Sequence, residues 1–457
     1  MDQPAQNIEI IIILLLIALA VALPSRLIRV PYTLGLVVVG LVIGAFHWLP
    51  AIALTPSLVL FIFLPALLFE GAWNLELREL LRNWLPITLL AGPGLLISVA
   101  IVGLVMHFAA GLPWSLAFLL GAIISPTDPV AVLALFRHLG LASRLRVLIE
   151  GESLFNDGVA SAITQVLLAV VVGSVASLAS GFVSSDGSSV LHNIHATLDP
   201  GTLSLQIGLG MLLLVGGGIG LGIAIGFLVS RLVRYVDDHL IETTITAVVA
   251  YGSYLLGETL RVSGILTVIT ATLVLGSYGR EHGMSQHTQE AVDSVWEFAA
   301  YIANSLLFLL VGLQISLLPL SGTFTGIAWA VVSVVAGRAL MIYLCIPLYN
   351  LLARRLAGSS TGAYIAPGPV PRRWQLLLLG SGLRGALSLA LALALPSSTP
   401  ERQRLIVIVY GVVLVTLLGQ GFGLRLLLPL LRRERQPTTN HENSPQESGL
   451  PDAGLAE

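Results

Sequence analysis

The feature that most constrains this chain is its series of long apolar segments separated by short polar ones. A bilayer offers no water to the backbone, so only helices and closed barrels can span it. A spanning helix needs about 17–25 apolar residues, and segments of that length recur from the N-terminus to about residue 428. The chain is 56% hydrophobic and only 11% charged, whereas a soluble domain carries about 25% charged residues. The sequence therefore predicts an all-α polytopic membrane protein.

Window length predicts about thirteen transmembrane helices. They lie at residues 8–24, 32–46, 56–71, 85–107, 114–136, 150–172, 205–230, 241–256, 262–278, 295–317, 326–348, 376–395 and 405–428. The first lacks the basic residues that open a signal peptide, so we expect it to be retained. These spans define a transmembrane domain over residues 1–435, and we expect the polar tail 436–457 to be disordered. A net charge of −2 gives no sign of a nucleic-acid partner.

Arginine placement predicts the orientation of the chain in the membrane. Alternate loops are rich in arginine: Arg26, Arg29, Arg78, Arg82, Arg137, Arg144, Arg146, Arg231, Arg234, Arg280, Arg354, Arg355, Arg372, Arg373, Arg432, Arg433 and Arg435. The opposite loops hold little beyond Arg261, Arg402 and Arg404. Cytoplasmic loops carry the excess of basic residues. We therefore expect a multi-pass protein of the cytoplasmic (inner) membrane, with its N-terminus outside and its C-terminus in the cytoplasm.

Two predicted spans are interrupted. The fifth contains SPTDP, in which Asp128 stands between Pro126 and Pro129, and the twelfth contains SGLRGALSLA around Arg384. If the seventh span joins two halves, these interruptions occupy corresponding positions, which is typical of the midplane site of a transporter. The charges of Asp128 and Arg384 could neutralise the exposed dipoles of half-helices. The alternative is a simple kink, in which Asp128 only caps a half-helix.

The sixth span begins with an oxygen-rich stretch, GESLFNDGVA. Ser153 and Asp157 share one helical face, and Asn156 lies beside them. Such oxygens suit hard cations like Na⁺. Burial favours the protonated form of a carboxylate and a nearby cation favours the ionised form, so one site can exchange a proton for a cation. The alternative for Asp157 is an acid that serves helix packing alone.

Two further acidic residues need an explanation. Glu152 points away from Asp157 on the same helix, and Arg338 is the only charge within the apolar part of the eleventh span. Because a lone charge in the membrane is costly, we predict that Glu152 and Arg338 form a structural ion pair. Glu70, at the end of the third span, either joins the ion site or marks the membrane boundary.

The chain resembles the monovalent cation/proton antiporters, in the sodium/proton exchanger branch that includes prokaryotic sodium/proton antiporters. The resemblance is carried, in order, by SPTDPVAV, GESLFNDGVA, NSLLFLLVG, AGRAL and GLRGALSLALA. These motifs extend from the fifth span to the twelfth. Each one is weakly specific, but the ordered set is highly specific.

The resemblance implies a fold of inverted repeats with two crossing broken helices, in the fifth and twelfth spans. It also implies interleaved dimerisation and ion-carrying core subdomains, and a homodimer. Thr127 would supply oxygen at the break, Asp128 would stabilise the crossing, and Glu152–Arg338 would form a structural bridge. Glu70 matches an acidic position in some prokaryotic members only.

By the same resemblance, Asn156 and Asp157 form the ion-binding pair and Ser153 is an additional ligand. Na⁺ would be bound by Asp157, Ser153 and Thr127. Similar proteins with Asn before Asp tend to exchange one cation for one proton, so electroneutral exchange is expected. No cofactor is expected beyond the transported Na⁺ or Li⁺ and H⁺.

The expected function is exchange of a monovalent cation, Na⁺ or Li⁺, for H⁺ by alternating access, in a chain that is not an enzyme. A K⁺/H⁺ antiporter with the same mechanism is the first alternative. A cation channel would more often show a repeated pore loop, which is not seen here. An intramembrane aspartyl protease could use Asp128 and Asp157 as a catalytic dyad, but that mechanism has no role for Arg338 and Arg384.

Overall fold

The structure, a computed structural model, describes residues 3–28, 32–48, 54–128, 142–172, 200–316, 322–356 and 368–431. Within these ranges all regular structure is helical and no β-strand occurs. The all-α prediction is thus confirmed. Residues 129–136 of the fifth predicted span and the predicted tail 436–457 lie outside the described residues.

The described helices fall into two halves of the chain. The first half contains α1 (Gln3–Ile28), α2 (Tyr32–Ala45), α3 (Pro56–Trp73), α4 (Leu77–Arg82), α5 (Trp84–Ala110), α6 (Trp114–Ile124) and α7 (Ser143–Val172). The second half contains α8 (Pro200–Val233), α9 (His239–Thr259), α10 (Gly264–Val274, continued by Leu275–Gly279 and Arg280–Gly283), α11 (Gln286–Ser316), α12 (Phe324–Leu356), α13 (Arg372–Gly380), α14 (Ala386–Leu393) and α15 (Arg402–Leu431).

Most of the predicted spans correspond to single helices. Among the described residues, eight helices are long and apolar enough to cross a membrane: α3, α5, α7, α8, α9, α11, α12 and α15. Shorter apolar helices lie in α1, α2 and α6. The ninth predicted span coincides with α10, and the twelfth with the pair α13 and α14. The total of thirteen membrane crossings remains a prediction.

Several helices are longer than the predicted spans. α7 begins at Ser143, α11 begins at Gln286 and α12 ends at Leu356. Hydropathy marks only the part of a helix that lies in hydrocarbon, whereas backbone hydrogen bonding continues into the polar interface. These extra turns carry charged residues at one end of the molecule.

Described parts of several arginine-rich loops meet at that end, which we call the arginine-rich end. Arg78, after α3, pairs with Glu281 at 3.2 Å, near the end of α10. Arg144, at the start of α7, donates to the carbonyl of Gly368 at 2.8 Å, just before α13. Lengthwise packing of α2 on α11, of α5 on α12 and of α8 on α10 holds the helices around a core of buried aliphatic side chains. The two interrupted spans lie within this core.

Candidate functional site

The two helix breaks meet in the structure. α6 ends at Ile124, and the chain continues without helical structure to Asp128. α13 ends at Gly380, and residues 381–385 separate it from α14. The backbone N–H of Asp128 donates to the carbonyl of Leu383 at 2.8 Å. This bond satisfies polar backbone groups that no helix can satisfy at this depth.

Glycine is required where the breaks cross. A Cβ atom on Gly385 would lie 2.1 Å from Oδ2 and 2.3 Å from Cβ of Asp128. Gly385 is also the residue that precedes α14, so the Asp128 carboxylate lies beside the N-terminus of that half-helix. A negative charge is favourable there, because the N-terminus of a helix carries the positive end of its dipole.

Arg384 faces the opposite dipole end. Its side chain is completely buried, and Nη1 donates to the carbonyls of Ser125 at 2.7 Å and Pro126 at 3.1 Å. Those carbonyls follow the C-terminus of α6, where a helix dipole is negative. Asp128 and Arg384 therefore have the positions that dipole compensation requires.

Glu152 and Arg338 form a bidentate ion pair. Nη1 of Arg338 lies 2.5 Å from Oε1 of Glu152, and Nη2 lies 2.8 Å from Oε2. Their side chains are 4% and 1% exposed for Arg338 and Glu152, respectively. Nη2 also donates to the carbonyl of Leu378 at 3.0 Å, so the pair joins α7 and α12 to α13. Two fork-like bonds in a dry setting make this a strong charge-assisted contact.

A hydrogen-bonded chain connects this ion pair to the first break. Nδ2 of Asn156 donates to Oε1 of Glu152 at 3.1 Å and to Oγ1 of Thr127 at 2.8 Å. The Ser153 hydroxyl donates to the backbone carbonyl of Thr127. The predicted residues Thr127, Ser153 and Asn156 thus lie together. The Asn156 amide presents its nitrogen to two acceptors, and its Oδ1 is buried without a partner among the described residues.

Asp157 lies at a cavity of about 360 Å³, together with Thr127, Asp128 and Ser153. Its side chain is half-buried. Among the residues that the structure describes, no group donates a hydrogen bond to its carboxylate. The Asp157 carboxyl group and the hydroxyl groups of Ser153 and Thr127 thus share one cavity. Together they form a set of oxygen ligands suited to a small cation, and the carboxyl group can also take up a proton.

The cavity extends from this group to the arginine-rich end. Glu70 and Asn74 line it, and Nδ2 of Asn74 donates to Oε1 of Glu70 at 2.9 Å. Asn74 is exposed at the end of α3, so the cavity reaches the surface there. The structure thus places Glu70 in the same cavity as Asp157.

The lining residues that were not predicted include two acids and a serine: Glu150, Glu297 and Ser388. Glu150 is 8% exposed and pairs with Arg146 at 2.8 Å. Helical spacing could have found the two acids, because Glu150 precedes Ser153 and Asp157 by three and seven residues. Glu297 precedes Tyr301 and Asn304, which also line the cavity, by four and seven residues. Ser388 lies in a purely apolar stretch that gives no such signal.

Comparison with known proteins identifies the family and the fold of the chain. A family profile described as "Sodium/hydrogen exchanger, transmembrane" matches residues 11–429. The low-affinity Na⁺/H⁺ antiporter NhaS1 of Synechocystis is 38% identical over 92% of this chain and 74% of its own length. The Na⁺/H⁺ antiporter ApNhaP of Aphanothece halophytica is 38% identical over 93% of this chain and 75% of its own length.

A solved structure shares the fold. The sodium proton antiporter MjNhaP1 of Methanocaldococcus jannaschii, at pH 8, superposes with a TM-score of 0.69 and 19% sequence identity, over 95% of this chain and 99% of that one. The helical architecture described above is therefore that of a known membrane antiporter. The chain belongs to the sodium/hydrogen exchanger family of membrane transporters.

Proposed function

We propose that the protein exchanges Na⁺ for H⁺ across the membrane by alternating access, with Asp157 binding the two ions in turn. The observation that carries the proposal is the Asp157 carboxylate, which faces the cavity and accepts no hydrogen bond from the described residues. A carboxylate left free in this way can be neutralised by a proton or by a cation, but not by both. The relatives named as Na⁺/H⁺ antiporters support Na⁺ as the cation.

The bound Na⁺ is coordinated by Asp157, Ser153 and Thr127, with Asp128 beside them. All four line the cavity, and hard oxygen donors suit an alkali cation. Li⁺ shares this chemistry and is a second substrate. Asn156 belongs to the group as the residue that ties Thr127 to Glu152 through its amide nitrogen. Glu152 and Arg338 have a structural role.

Exchange is electroneutral, with one cation for one proton. Asn156 is neutral, so Asp157 is the only carboxylate of the Asn-Asp pair that can change charge during the cycle. A K⁺/H⁺ exchanger would use the same residues with a different fit of the cation. Proton flux measured after pulses of NaCl, LiCl or KCl distinguishes the two.

The arginine-rich end faces the cytoplasm, the N-terminus lies outside and the C-terminus lies inside. The positive-inside bias of the loops supports this orientation. The cavity then opens toward the cytoplasm, and Glu70, Glu150 and Glu297 on its wall attract cations from that side. In this conformation Asp157 is accessible from the cytoplasm.

The protein works as a homodimer of transmembrane domains, in which an ion-carrying core moves against a dimerisation scaffold. The outward face of α8 supports this assembly. Leu212, Leu213 and Leu228 are 69%, 66% and 72% exposed, and a Cβ on Gly216 or Gly220 would meet no atom within 4 Å. Small residues at such spacing allow close helix packing in membranes.

The direct test of the ion site is Asp157→Asn in proteoliposomes with a preset pH gradient. We expect a folded protein, by its gel-filtration profile and melting temperature, that no longer dissipates the gradient when Na⁺ is added. Glu281→Gln, at an exposed ion pair that does not line the cavity, is the matched control and should retain exchange. Na⁺-dependent proton flux by Asp157→Asn at the wild-type rate would refute the proposed site.

A further inference from the structure

A second cavity lies between α12 and α13 at the arginine-rich end, separate from the ion cavity. Its volume is about 610 Å³. Arg354 and Arg372 line it together with Gln375, and Tyr343, Leu351 and Leu376 supply apolar surface. We call this cavity the arginine pocket. None of these six residues lines the ion cavity.

The two arginines of the arginine pocket have no ion-pair partner among the described residues, and one amide beside them forms no hydrogen bond there. Arg354 and Arg372 are exposed, and within the described residues neither lies within 4 Å of a carboxylate oxygen. Gln375 is only 5% exposed, and its side-chain amide makes no hydrogen bond to any described residue. Two cations and one amide donor facing the same cavity suit an anion with several oxygens.

The walls of the arginine pocket are fixed. Asn350, which also lines it, donates through Nδ2 to the carbonyl of Val370 at 3.0 Å, and its Oδ1 accepts from the N–H of Val370 at 2.7 Å. These two hydrogen bonds join the end of α12 to the segment that leads into α13. The separation of Arg354 and Arg372 is thus set by ordered backbone.

The apolar part of the pocket extends toward the membrane. Tyr343 precedes Arg354 by eleven residues on α12, so the two lie about 16 Å apart along the helix axis. Tyr343, Leu351 and Leu376 are 47%, 51% and 39% exposed. Tyr343 and Leu376 belong to the predicted spans 326–348 and 376–395, and Leu351 follows the first of them by three residues. A ligand that fits this pocket has an anionic head at the charged rim and an apolar chain that continues into the bilayer.

We propose that the arginine pocket binds an anionic phospholipid of the cytoplasmic leaflet, with Arg354 and Arg372 contacting the phosphodiester and Tyr343 and Leu351 contacting an acyl chain. Basic pockets between transmembrane helices on the cytoplasmic side are known to take such headgroups. The bound lipid would bridge α12 and α13, which carry Arg338 and its carbonyl acceptor Leu378. The proposal rests on the proposed orientation but not on the ion that is transported.

The test measures lipid binding to delipidated protein in a neutral detergent, by native mass spectrometry and by melting temperature. The probe is dioleoylphosphatidylglycerol, compared with dioleoylphosphatidylcholine and with inorganic phosphate. We expect phosphatidylglycerol alone to remain bound and to raise the melting temperature. Because binding is read without transport, this proposal can fail while Na⁺/H⁺ exchange is confirmed, or the reverse.

Two matched pairs of variants locate the site. Arg354→Gln/Arg372→Gln removes the pocket charges, whereas Arg355→Gln/Arg373→Gln removes the same charge from neighbouring residues that do not line the pocket. At about fivefold for each arginine, the first pair should weaken phosphatidylglycerol binding by about twenty-five-fold. The second pair should leave it close to the wild-type value.

A third variant keeps the charges and fills the space. Leu351→Trp should displace the acyl chain and reduce binding even though both arginines remain, and it decides the question if the first pair does not fold. Equal losses in the two arginine pairs would show diffuse attraction to the charged rim and overturn the proposal. Protection by inorganic phosphate as strong as that by the lipid would also overturn it, because it would reveal a site for free anions.

Discussion

At the scale of single residues, the buried Glu152–Arg338 pair places the strictest requirement on the structure, because each charge needs the other. Two charges with side chains 1% and 4% exposed are held by two direct bonds and by the carbonyl of Leu378. Removing one member of a buried pair leaves the other charge without compensation, and that loss is larger than the net value of the pair. Both residues are therefore needed together.

Arg338→Ala should lower the free energy of unfolding by about 3–5 kcal/mol, the usual effect of breaking a buried pair. Thermal unfolding in detergent and the yield of folded protein measure the effect. Glu152→Gln/Arg338→Met, which removes both charges, should recover part of the loss. Arg78→Ala breaks a pair that is 88% and 59% exposed and serves as the control. A melting temperature of Arg338→Ala equal to that of Arg78→Ala would contradict a structural role.

Asn156 offers a second test at this scale. Its amide nitrogen donates to both Glu152 and Thr127, whereas an aspartate there would donate to neither and would add a negative charge beside Glu152. We expect Asn156→Asp to be less stable than Asn156→Ala, and to lose transport instead of becoming electrogenic. Melting temperatures and liposome flux of both variants check this. An Asn156→Asp protein with wild-type stability would show that the amide is not needed as a donor.

At the scale of elements, the crossing of the two breaks forms part of the wall of the cavity that holds the proposed ion site. The carbonyl of Leu383 accepts from Asp128, and Arg384 donates to carbonyls that follow α6. Each break thus supplies the polar partners that the other lacks. Because the crossing leaves no room at Gly385, side-chain volume there should be critical.

Gly385→Ala should disturb the crossing, since its Cβ would overlap the Asp128 side chain at 2.1–2.3 Å. We expect a lower yield of folded protein or a loss of Na⁺/H⁺ exchange in the fraction that folds. Gly92→Ala on α5 is the control, because a Cβ there meets no atom within 4 Å and alanine favours a helix. If Gly385→Ala matches Gly92→Ala in both yield and flux, the close approach is not essential.

The sequence predicted the parts of the site that carry an unavoidable physical requirement. Arg338 needed a counter-ion, and Glu152 was an acid of the sixth span that points away from Asp157 and had no other expected role. The interruptions at Asp128 and Arg384 needed partners for freed backbone groups, and the resemblance to the cation/proton antiporters implied that the two breaks cross. These contacts could be anticipated because a membrane leaves few alternatives.

Other parts could not be predicted from spacing or charge alone. Ser388 lies in an apolar stretch, and its place at the cavity depends on how α14 is rotated. Glu150 and Glu297 had helical spacing that pointed to the site, but their position near span ends made interfacial residues an equally good interpretation. The arginine pocket depends on the distance between α12 and α13, which no local pattern encodes.

At the scale of the whole molecule, the helices enclose a cavity that extends from the arginine-rich end to Asp157. Five acidic residues line that cavity: Glu70, Asp128, Glu150, Asp157 and Glu297. Among the described residues, a single hydrogen-bond chain runs from Arg338 through Glu152 and Asn156 to Thr127. The buried ion pair and the proposed transport site are therefore adjacent, and we expect a substitution in one to affect the other.

The most direct test of the account is proton flux in proteoliposomes with a preset pH gradient, after pulses of NaCl, LiCl, KCl or choline chloride. Each pulse is given with the voltage clamped by valinomycin and K⁺, and again without the clamp. We predict that Na⁺ and Li⁺ collapse the gradient, that choline does not, and that the clamp leaves the rates unchanged. Collapse by K⁺ alone would contradict Na⁺ as the substrate. No cation-dependent proton movement by a demonstrably folded protein would contradict the antiport mechanism itself.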